Sequence, residues 1–253
     1  MIPIRDENPA LHTSMATFGL IALNIVSWIV IQKMGTFPGL FESICRFGLI
    51  PGELLGTVKP GTHIRLAQRI VCRTGEPAWW TLFTSMFMHG GWFHIIGNMW
   101  FMFIFGDNVE DVMGSAKFVL FYLVCGTAAA GAQILADPSS AVPMVGASGA
   151  IGGVMGAYIV MFPKAPVHML VFFFFIFFRI AVPAFVMLGY WFFLQLAGGM
   201  VSFSEGTGGV AFWAHIGGFA AGALLVHLFT DRERVREIRE RRGRARRIVY
   251  RYR

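Results

Sequence analysis

The chain reads GASGAIGGVMGA from residue 146 to residue 157, a run of small residues without a charged side chain. A second set of small residues, Ala214, Gly218 and Gly222, recurs every four positions further along the chain. In lipid, such stripes let helix backbones approach closely, and the resulting van der Waals packing drives helices together. We therefore predict that these two segments are transmembrane helices in direct contact.

Two polar residues lie beside these stripes. Ser148 precedes Gly152 by four positions, and His215 precedes Gly218 by three. A serine in a small-residue stripe is usually a packing residue, whereas an ionisable side chain in hydrocarbon is costly and marks a function. If the stripes meet, the serine and the histidine come within hydrogen-bonding distance.

The composition is that of a polytopic membrane protein. Hydrophobic residues make up 56% of the chain and charged residues only 14%, far from the values of soluble domains. We predict an all-α polytopic fold with six transmembrane helices. Their segments are about 15–33, 93–105 (with a helical start near His89), 116–136, 147–162, 183–200 and 210–230.

The phenylalanine-rich run at 171–179 is too short to cross a bilayer. We interpret it as an interfacial or re-entrant lead-in to the fifth helix.

The C-terminal tail, residues 231–253, fixes the predicted orientation. It holds eleven Arg and four acidic residues, so the whole net charge of +7 lies there. The positive-inside rule places this tail in the cytosol, and six spans place the N-terminus there too. We expect a multi-pass protein of a bacterial inner membrane, whose tail contacts anionic lipid headgroups rather than nucleic acid.

The cysteines leave one question open. Cys45 and Cys72 lie in the long first outside loop, about residues 34–80, while Cys125 lies inside the third span. A disulfide between the two loop cysteines requires an oxidising compartment, and their spacing alone does not decide whether they pair.

A second polar group lies in HGGWFHIIGN, residues 89–98. His94 and Asn98 are four apart and share one helical face, whereas Gly90 and Gly91 place His89 in the preceding turn. Zinc would lack a carboxylate or an HExxH pattern here. Haem held by His94 and His215 would leave Asn98 unexplained. We predict neither a metal nor a cofactor.

These residues fit acyl transfer. A serine nucleophile needs a base and donors aimed at the developing oxyanion. His215 is the candidate base of Ser148, and His94 and Asn98 are candidate donors. The fourth and sixth spans contain no Asp or Glu, so the sequence supports a Ser/His dyad, and Ala150 excludes the GxSxG elbow of α/β-hydrolases.

Five motifs in order resemble those of the rhomboid intramembrane serine proteases. They are FGLIPGEL (47–54), MHGGWFHIIGN (88–98), GDNVEDVMG (106–114, after the second span), GASGA (146–150) and AHIGGFAAG (214–222). The resemblance covers about residues 15–230. It implies a rhomboid protease core at 1–230 followed by a basic cytosolic tail at 231–253.

By this resemblance Ser148 is the nucleophile and His215 the general base. The oxyanion would be stabilised by His94, Asn98 and Gly146. The loop histidine, His89, would be structural. A further motif, Gly106, Glu110 and Gly114, would hold the second and third helices together at the cytosolic side.

The chain also departs from the family pattern. Thr81 stands where an arginine commonly follows a tryptophan, here Trp80, which puts the anchoring of the first loop in question. Gly152 stands where some members have a tyrosine stacked on the base, so other groups must orient His215.

The resemblance implies a serine endopeptidase that cleaves single-span or polytopic transmembrane substrates near the outer membrane face. Water must reach the dyad through an outward-opening cavity, and a helical substrate must unwind to expose its carbonyls. The fifth helix would act as a lateral gate. The alternative is a proteolytically inactive rhomboid-like protein for membrane-protein binding or quality control.

Overall fold

The computed structural model describes residues 2–8, 10–67, 70–174, 176–205, 211–238 and 240–241. The helices are α1 (Met15–Val30), α2 (Gly39–Phe47), α3 (Pro51–Leu54), α4 (Thr81–Thr84), α5 (Trp92–Met113), α6 (Ser115–Ala136), α7 (Ser148–Met161), α8 (Ala184–Glu205) and α9 (Phe212–Phe229). The strands are β1 (Ile2–Asp6), β2 (His63–Ala67), β3 (Ile70–Arg73), β4 (Pro166–Phe173) and β5 (Ile176–Pro183). Short 3₁₀ turns lie at Lys33–Gly35 and Ser85–Phe87.

The chain is mostly helical, and a helix lies in each of the six predicted segments. Three are long and apolar enough to cross a membrane: α6, the Ala184–Ser202 part of α8, and α9. The helices α1 and α7 are apolar but shorter. The second predicted span is longer than expected, because α5 continues to Met113. The GDNVEDVMG motif therefore lies largely within this helix rather than in a loop that follows it.

The predicted contact between the two small-residue stripes is confirmed. A Cβ built on Gly218 would overlap the carbonyl oxygen of Gly149, and one built on Gly222 would overlap that of Gly153. Since no larger residue fits at these positions, the two backbones pack directly on each other. Helix α7 is buried from Gly149 to Tyr158, so the helix that begins with Ser148 lies at the centre of the bundle.

The prediction of an all-α chain is wrong. The phenylalanine-rich segment forms the β4–β5 hairpin, and β1 adds to it to give a three-stranded sheet in the order β1-β4-β5. Pro166 pairs with Pro183, so the hairpin leaves and rejoins the same end of the bundle. The segment predicted to lead into the fifth helix is thus built of strands. The indole N–H of Trp100 donates to the carbonyl oxygen of Pro3 at 2.6 Å, which places β1 beside the middle of α5.

At that same end, Glu110 joins three helices. Its carboxylate accepts the backbone N–H groups of Ala16 and Thr17 at 2.9 and 2.7 Å, and the hydroxyl of Ser115 at 2.6 Å. A carboxylate at the N-terminus of α1 satisfies N–H groups that lack intrahelical partners and complements the helix dipole. The motif that contains Glu110 thus links α1, α5 and α6.

The first loop covers the opposite end. A disulfide joins Cys45 of α2 to Cys72 of β3, which answers the question left open by their spacing. Leu49 exchanges two backbone hydrogen bonds with Met144, and Gly52 donates to the carbonyl oxygen of Ser140. The loop therefore supports the segment that leads into α7. Of the basic tail, residues 232–238 are helical, and residues 242–253 lie outside the described residues.

Candidate active site

The polar residues singled out from the sequence meet where α7 begins. Nε2 of His215 lies 2.7 Å from Oγ of Ser148, so the close packing of α7 on α9 brings the two side chains into hydrogen-bonding contact. Ser148 is the first residue of α7, and His215 lies in the first turn of α9. The expectation that the stripes would bring this serine and histidine within hydrogen-bonding distance is confirmed.

The other ring nitrogen of His215 has a partner that sequence reasoning missed. Nδ1 lies 2.7 Å from Oε1 of Gln195 on α8. An amide oxygen only accepts, so Nδ1 carries the proton and Nε2 is left to accept from the hydroxyl of Ser148. This is the tautomer that a general base requires.

The tautomer of His94 is set in the same way. Its Nδ1 accepts the backbone N–H of Gly90 at 3.1 Å, so the ring proton is on Nε2. His94 therefore presents an N–H donor from that atom. Gly90 itself belongs to the Gly90-Gly91 turn before α5, which makes this turn part of the site.

Asn98 lies one helical turn beyond His94 on α5. Its side chain is buried, and its Nδ2 has no hydrogen-bond partner among the described residues. A buried amide without a partner is costly. Asn98 also lines the cavity that contains Ser148, which places this unpartnered amide beside the cavity.

Gly146 leaves a space between the donor and the serine. A Cβ at this residue would lie 2.7 Å from Nε2 of His94 and 3.4 Å from Oγ of Ser148. The space that glycine leaves open is thus close to both a donor and a hydroxyl, as a reacting carbonyl oxygen requires. The N–H of Gly146 donates to the carbonyl oxygen of Ser85 at 2.9 Å, so acting as an oxyanion donor would require breaking that bond.

A cavity of about 890 Å³ opens beside these residues. It is lined by Ser148, His215, His94 and Asn98 together with residues 140–145. Its volume lies within the range of ligand pockets. The serine is therefore accessible from outside the helix bundle, although it begins the most buried helix.

His89 lies apart from this cavity. The side chain is fully buried, and its backbone N–H and carbonyl oxygen both bond to the side-chain amide of Gln32 at 2.8 Å. His89 precedes α5. Its pKa is lowered to about 3, mainly because burial disfavours the charged form and to a smaller extent because His94 lies nearby. An uncharged, enclosed histidine suits a structural role at this turn.

The described residues contain no group of three or more His, Cys, Asp or Glu side chains that could hold a metal ion.

A second amide that the sequence did not single out, Gln133 of α6, accepts the backbone N–H of Ala214 at 3.3 Å. The one signal for Gln195 in the sequence is that it is the only amide residue in the α8 segment. Its partner could not be named without knowing how α8 packs on α9.

The rhomboid domain family model matches residues 76–232, which contain every residue of the site. Rhomboid protease GluP of Bacillus subtilis (strain 168) is 33% identical over 141 residues, covering 56% of this chain and 23% of that protein.

Two plant proteins are also similar. Rhomboid-like protein 11, chloroplastic, of Arabidopsis thaliana is 42% identical over 77 residues, which cover 30% of this chain and 27% of that protein. RHOMBOID-like protein 5 of Arabidopsis thaliana is 26% identical over 148 residues, which cover 54% of this chain and 47% of that protein. The matched stretches thus span less than half the length of each of these relatives.

Proposed function

This chain belongs to the rhomboid family, and from that premise we propose that it is an intramembrane serine endopeptidase with Ser148 as nucleophile and His215 as general base. The observation that carries the proposal is the 2.7 Å contact between Oγ of Ser148 and Nε2 of His215 at the edge of a cavity. A packing serine needs no imidazole at this distance, whereas a nucleophilic serine needs a base there.

The reaction begins when Oγ of Ser148 attacks the scissile carbonyl carbon and Nε2 of His215 takes the hydroxyl proton. The tetrahedral intermediate collapses, the imidazolium gives its proton to the leaving amine, and an acyl-enzyme remains. Water then repeats the sequence: His215 takes its proton, the hydroxide adds to the acyl carbon, and Ser148 Oγ leaves with the proton returned.

The oxyanion is held by three donors in this proposal. They are Nε2–H of His94, an N–H of the Asn98 side chain, and the backbone N–H of Ser148, which lacks an intrahelical partner because it opens α7. The positive end of the α7 dipole adds to them. Gly146 contributes space: a side chain there would fill the position closest to both His94 and Ser148.

The substrates we propose are single-span or polytopic transmembrane proteins. In this proposal six helices cross the bilayer: α1, α5, α6, α7, α8 and α9. The end of the bundle that carries Ser148 faces outward, and the Arg-rich tail lies in the cytosol in contact with anionic lipids. A substrate helix must unwind before its carbonyl carbon can reach Ser148, because its backbone groups are otherwise paired. Segments with Gly, Pro or polar residues near their outer end should therefore be cleaved preferentially.

Labelling with a fluorophosphonate probe tests the proposal. The purified protein in liposomes should react covalently with the probe and cleave a single-span model substrate, and Ser148→Ala should lose both activities while remaining folded, since Ala fits the stripe. Ser139→Ala, in an exposed turn, is the matched serine control and should behave like the parent. Cleavage by Ser148→Ala within a factor of ten of the parent would refute the assignment of the nucleophile. A parent that neither labels nor cleaves would favour the inactive rhomboid-like alternative.

A further inference from the structure

Helix α8 is the most exposed of the helices around the site. Large apolar side chains cover its outer face, with Tyr190, Phe193 and Met200 each 62% exposed. Its inner face packs mainly on α9. Phe192 stacks on Phe219 with ring centroids 4.7 Å apart. A Cβ on Gly198 would lie 2.5 Å from the ring of Phe212.

Gln195 lies on this inner face, between Phe192 and Gly198, and reaches the ring of His215. The contact joins Oε1 of Gln195 to Nδ1 of His215 at 2.7 Å. Trp191, also on α8, lies against the same imidazole with ring centroids 6.0 Å apart. The imidazole is thus held by Ser148 on one side and by α8 on the other.

This contact decides which nitrogen of His215 carries the proton. With the acceptor of Gln195 present, the proton is on Nδ1 and the lone pair of Nε2 points at Ser148. Without it, nothing in the described surroundings of His215 favours this tautomer over the other, in which Nε2 is protonated and unable to act as a base. A neutral amide performs this role in hydrocarbon without the cost of burying a carboxylate.

We propose that Gln195 is the positioning residue of this site, and that through it the alignment of His215 on Ser148 depends on α8 being packed against α9. The proposal rests on the proposed protease function. It adds a third group to the dyad and places that group on a different, exposed helix, so that any movement of α8 away from α9 also loosens the base.

Two substitutions separate positioning from packing. Gln195→Met keeps the length and approximate volume of the side chain but removes the acceptor. It should lower both the rate of fluorophosphonate labelling and kcat roughly three- to tenfold, the effect of losing one neutral hydrogen bond, and leave KM unchanged. Gln195→Glu restores an acceptor and should recover a rate within a factor of two of the parent. Met200→Leu, on the exposed face of the same helix, should match the parent.

A pure packing role gives the reverse order, with Met tolerated and a half-buried Glu harmful, and that result would overturn the proposal. Equal losses in both variants would also overturn it. If Gln195→Glu fails to fold, Gln195→Met decides alone: parent-like labelling in a protein of unchanged thermal stability refutes the positioning role. Ser148→Ala is measured in parallel. If it still cleaves, the proposed function has failed; if it is inactive while both Gln195 variants match the parent, only this inference has failed.

Discussion

At the scale of residues, the two histidines of the candidate site each have a neutral hydrogen-bond partner. Each histidine is oriented by one neutral partner, His94 by the backbone N–H of Gly90 and His215 by the amide of Gln195. As a result, His94 carries its proton on Nε2, whereas His215 carries its proton on Nδ1. His94 offers a donor, whereas His215 offers an acceptor. Two side chains of the same type are thereby held in different tautomers, because each has a different hydrogen-bond partner.

Asn98→Ala should slow turnover without abolishing the labelling of Ser148. Removing one oxyanion donor costs about 10² to 10³ in rate elsewhere, roughly 2.7 to 4 kcal/mol. Because His94 and the Ser148 N–H remain, the loss should fall at or below that range. Single-turnover cleavage and peptide binding measured on the same protein check this.

Binding should change less than the rate, because the donor acts on charge that develops in the transition state. An unchanged rate, or binding weakened as much as turnover, would make Asn98 a helix-packing residue and leave its unpaired Nδ2 unexplained.

Much of the site was predictable from local spacing. Ser148 and His215 lie beside stripes that mark the contacting faces of two helices, and His94 and Asn98 share a face four residues apart. Gln195 was not predictable, because its partner depends on the rotation of α8 against α9, which its nearly uniform apolar sequence does not encode. The bond of Gly146 to Ser85 was hidden for a similar reason, since both residues lie in irregular segments.

At the scale of elements, the α7–α9 contact and the first loop position the site. Because Gly149, Gly153, Gly218 and Gly222 have no side chains, the backbones of α7 and α9 can pack directly on each other. The loop acts from outside, through its backbone bonds to Ser140 and Met144. The α7–α9 contact brings Ser148 and His215 together, and the loop holds the segment that precedes α7 in place.

Gly222→Ala should destabilise the protein, because its Cβ would overlap the backbone of Gly153. Overpacking of this kind costs typically about 1–3 kcal/mol. Gly131→Ala on α6 is the matched control. Its Cβ would meet no atom within 4 Å, and alanine favours a helix over glycine by roughly 0.5–1 kcal/mol. In thermal unfolding in detergent, Tm should be highest for Gly131→Ala, intermediate for the parent and lowest for Gly222→Ala. Equal Tm values for both variants would contradict the packing described for α7 and α9.

Replacing Cys45 and Cys72 together with Ser should lower stability but leave catalysis intact. A disulfide with a sequence separation of 27 contributes about 3.5 kcal/mol in the chain-entropy model, and neither cysteine lines the cavity. Reductant should produce the same fall in Tm for the parent and none for the double variant. Loss of activity in a well-folded double variant would instead point to a thiol mechanism.

The helices were predictable as elements and the sheet was not. Long apolar segments with small-residue stripes predict helices from the local sequence alone. The run VFFFFIFFR has no periodicity that separates strand from helix, and the strand that pairs with β4 lies at the other end of the sequence. For α5, the polar residues Glu110 and Asp111 masked the true end of the helix. They do not mark a loop, because Glu110 bonds to α1 and α6 and Asp111 bonds to the N-terminal segment.

At the scale of the whole molecule, the two ends of the bundle hold different groups of residues. One end holds Ser148 and His215, the cavity and the disulfide-bonded loop. At the other, Asp111 accepts the backbone N–H of His12, and its own carbonyl oxygen accepts from the Arg234 side chain. The N-terminal segment and the start of the basic tail are thus fixed to the same end of α5.

This arrangement predicts the sides of the membrane from which two exposed positions can be reached. In intact cells, a membrane-impermeant maleimide should label Ser139→Cys, and in inverted vesicles it should label Glu233→Cys. Cys125 is buried and should stay unlabelled in the parent. Labelling of both positions from one side would contradict the proposed topology, in which the cavity opens outward and the tail is cytosolic.

The pairing of β1 with β4 also has a consequence for biosynthesis. Ile2 pairs with Leu170, so the ribosome must make α1 to α7 before the partner strand of β1 exists. At about 5–20 residues per second, the partner strand of β1 is completed on the order of ten seconds or longer after β1 itself. The sheet can therefore close only after the serine-bearing helix has been synthesised. A large fusion placed ahead of β1 should interfere with this late step more than the same fusion placed after the tail.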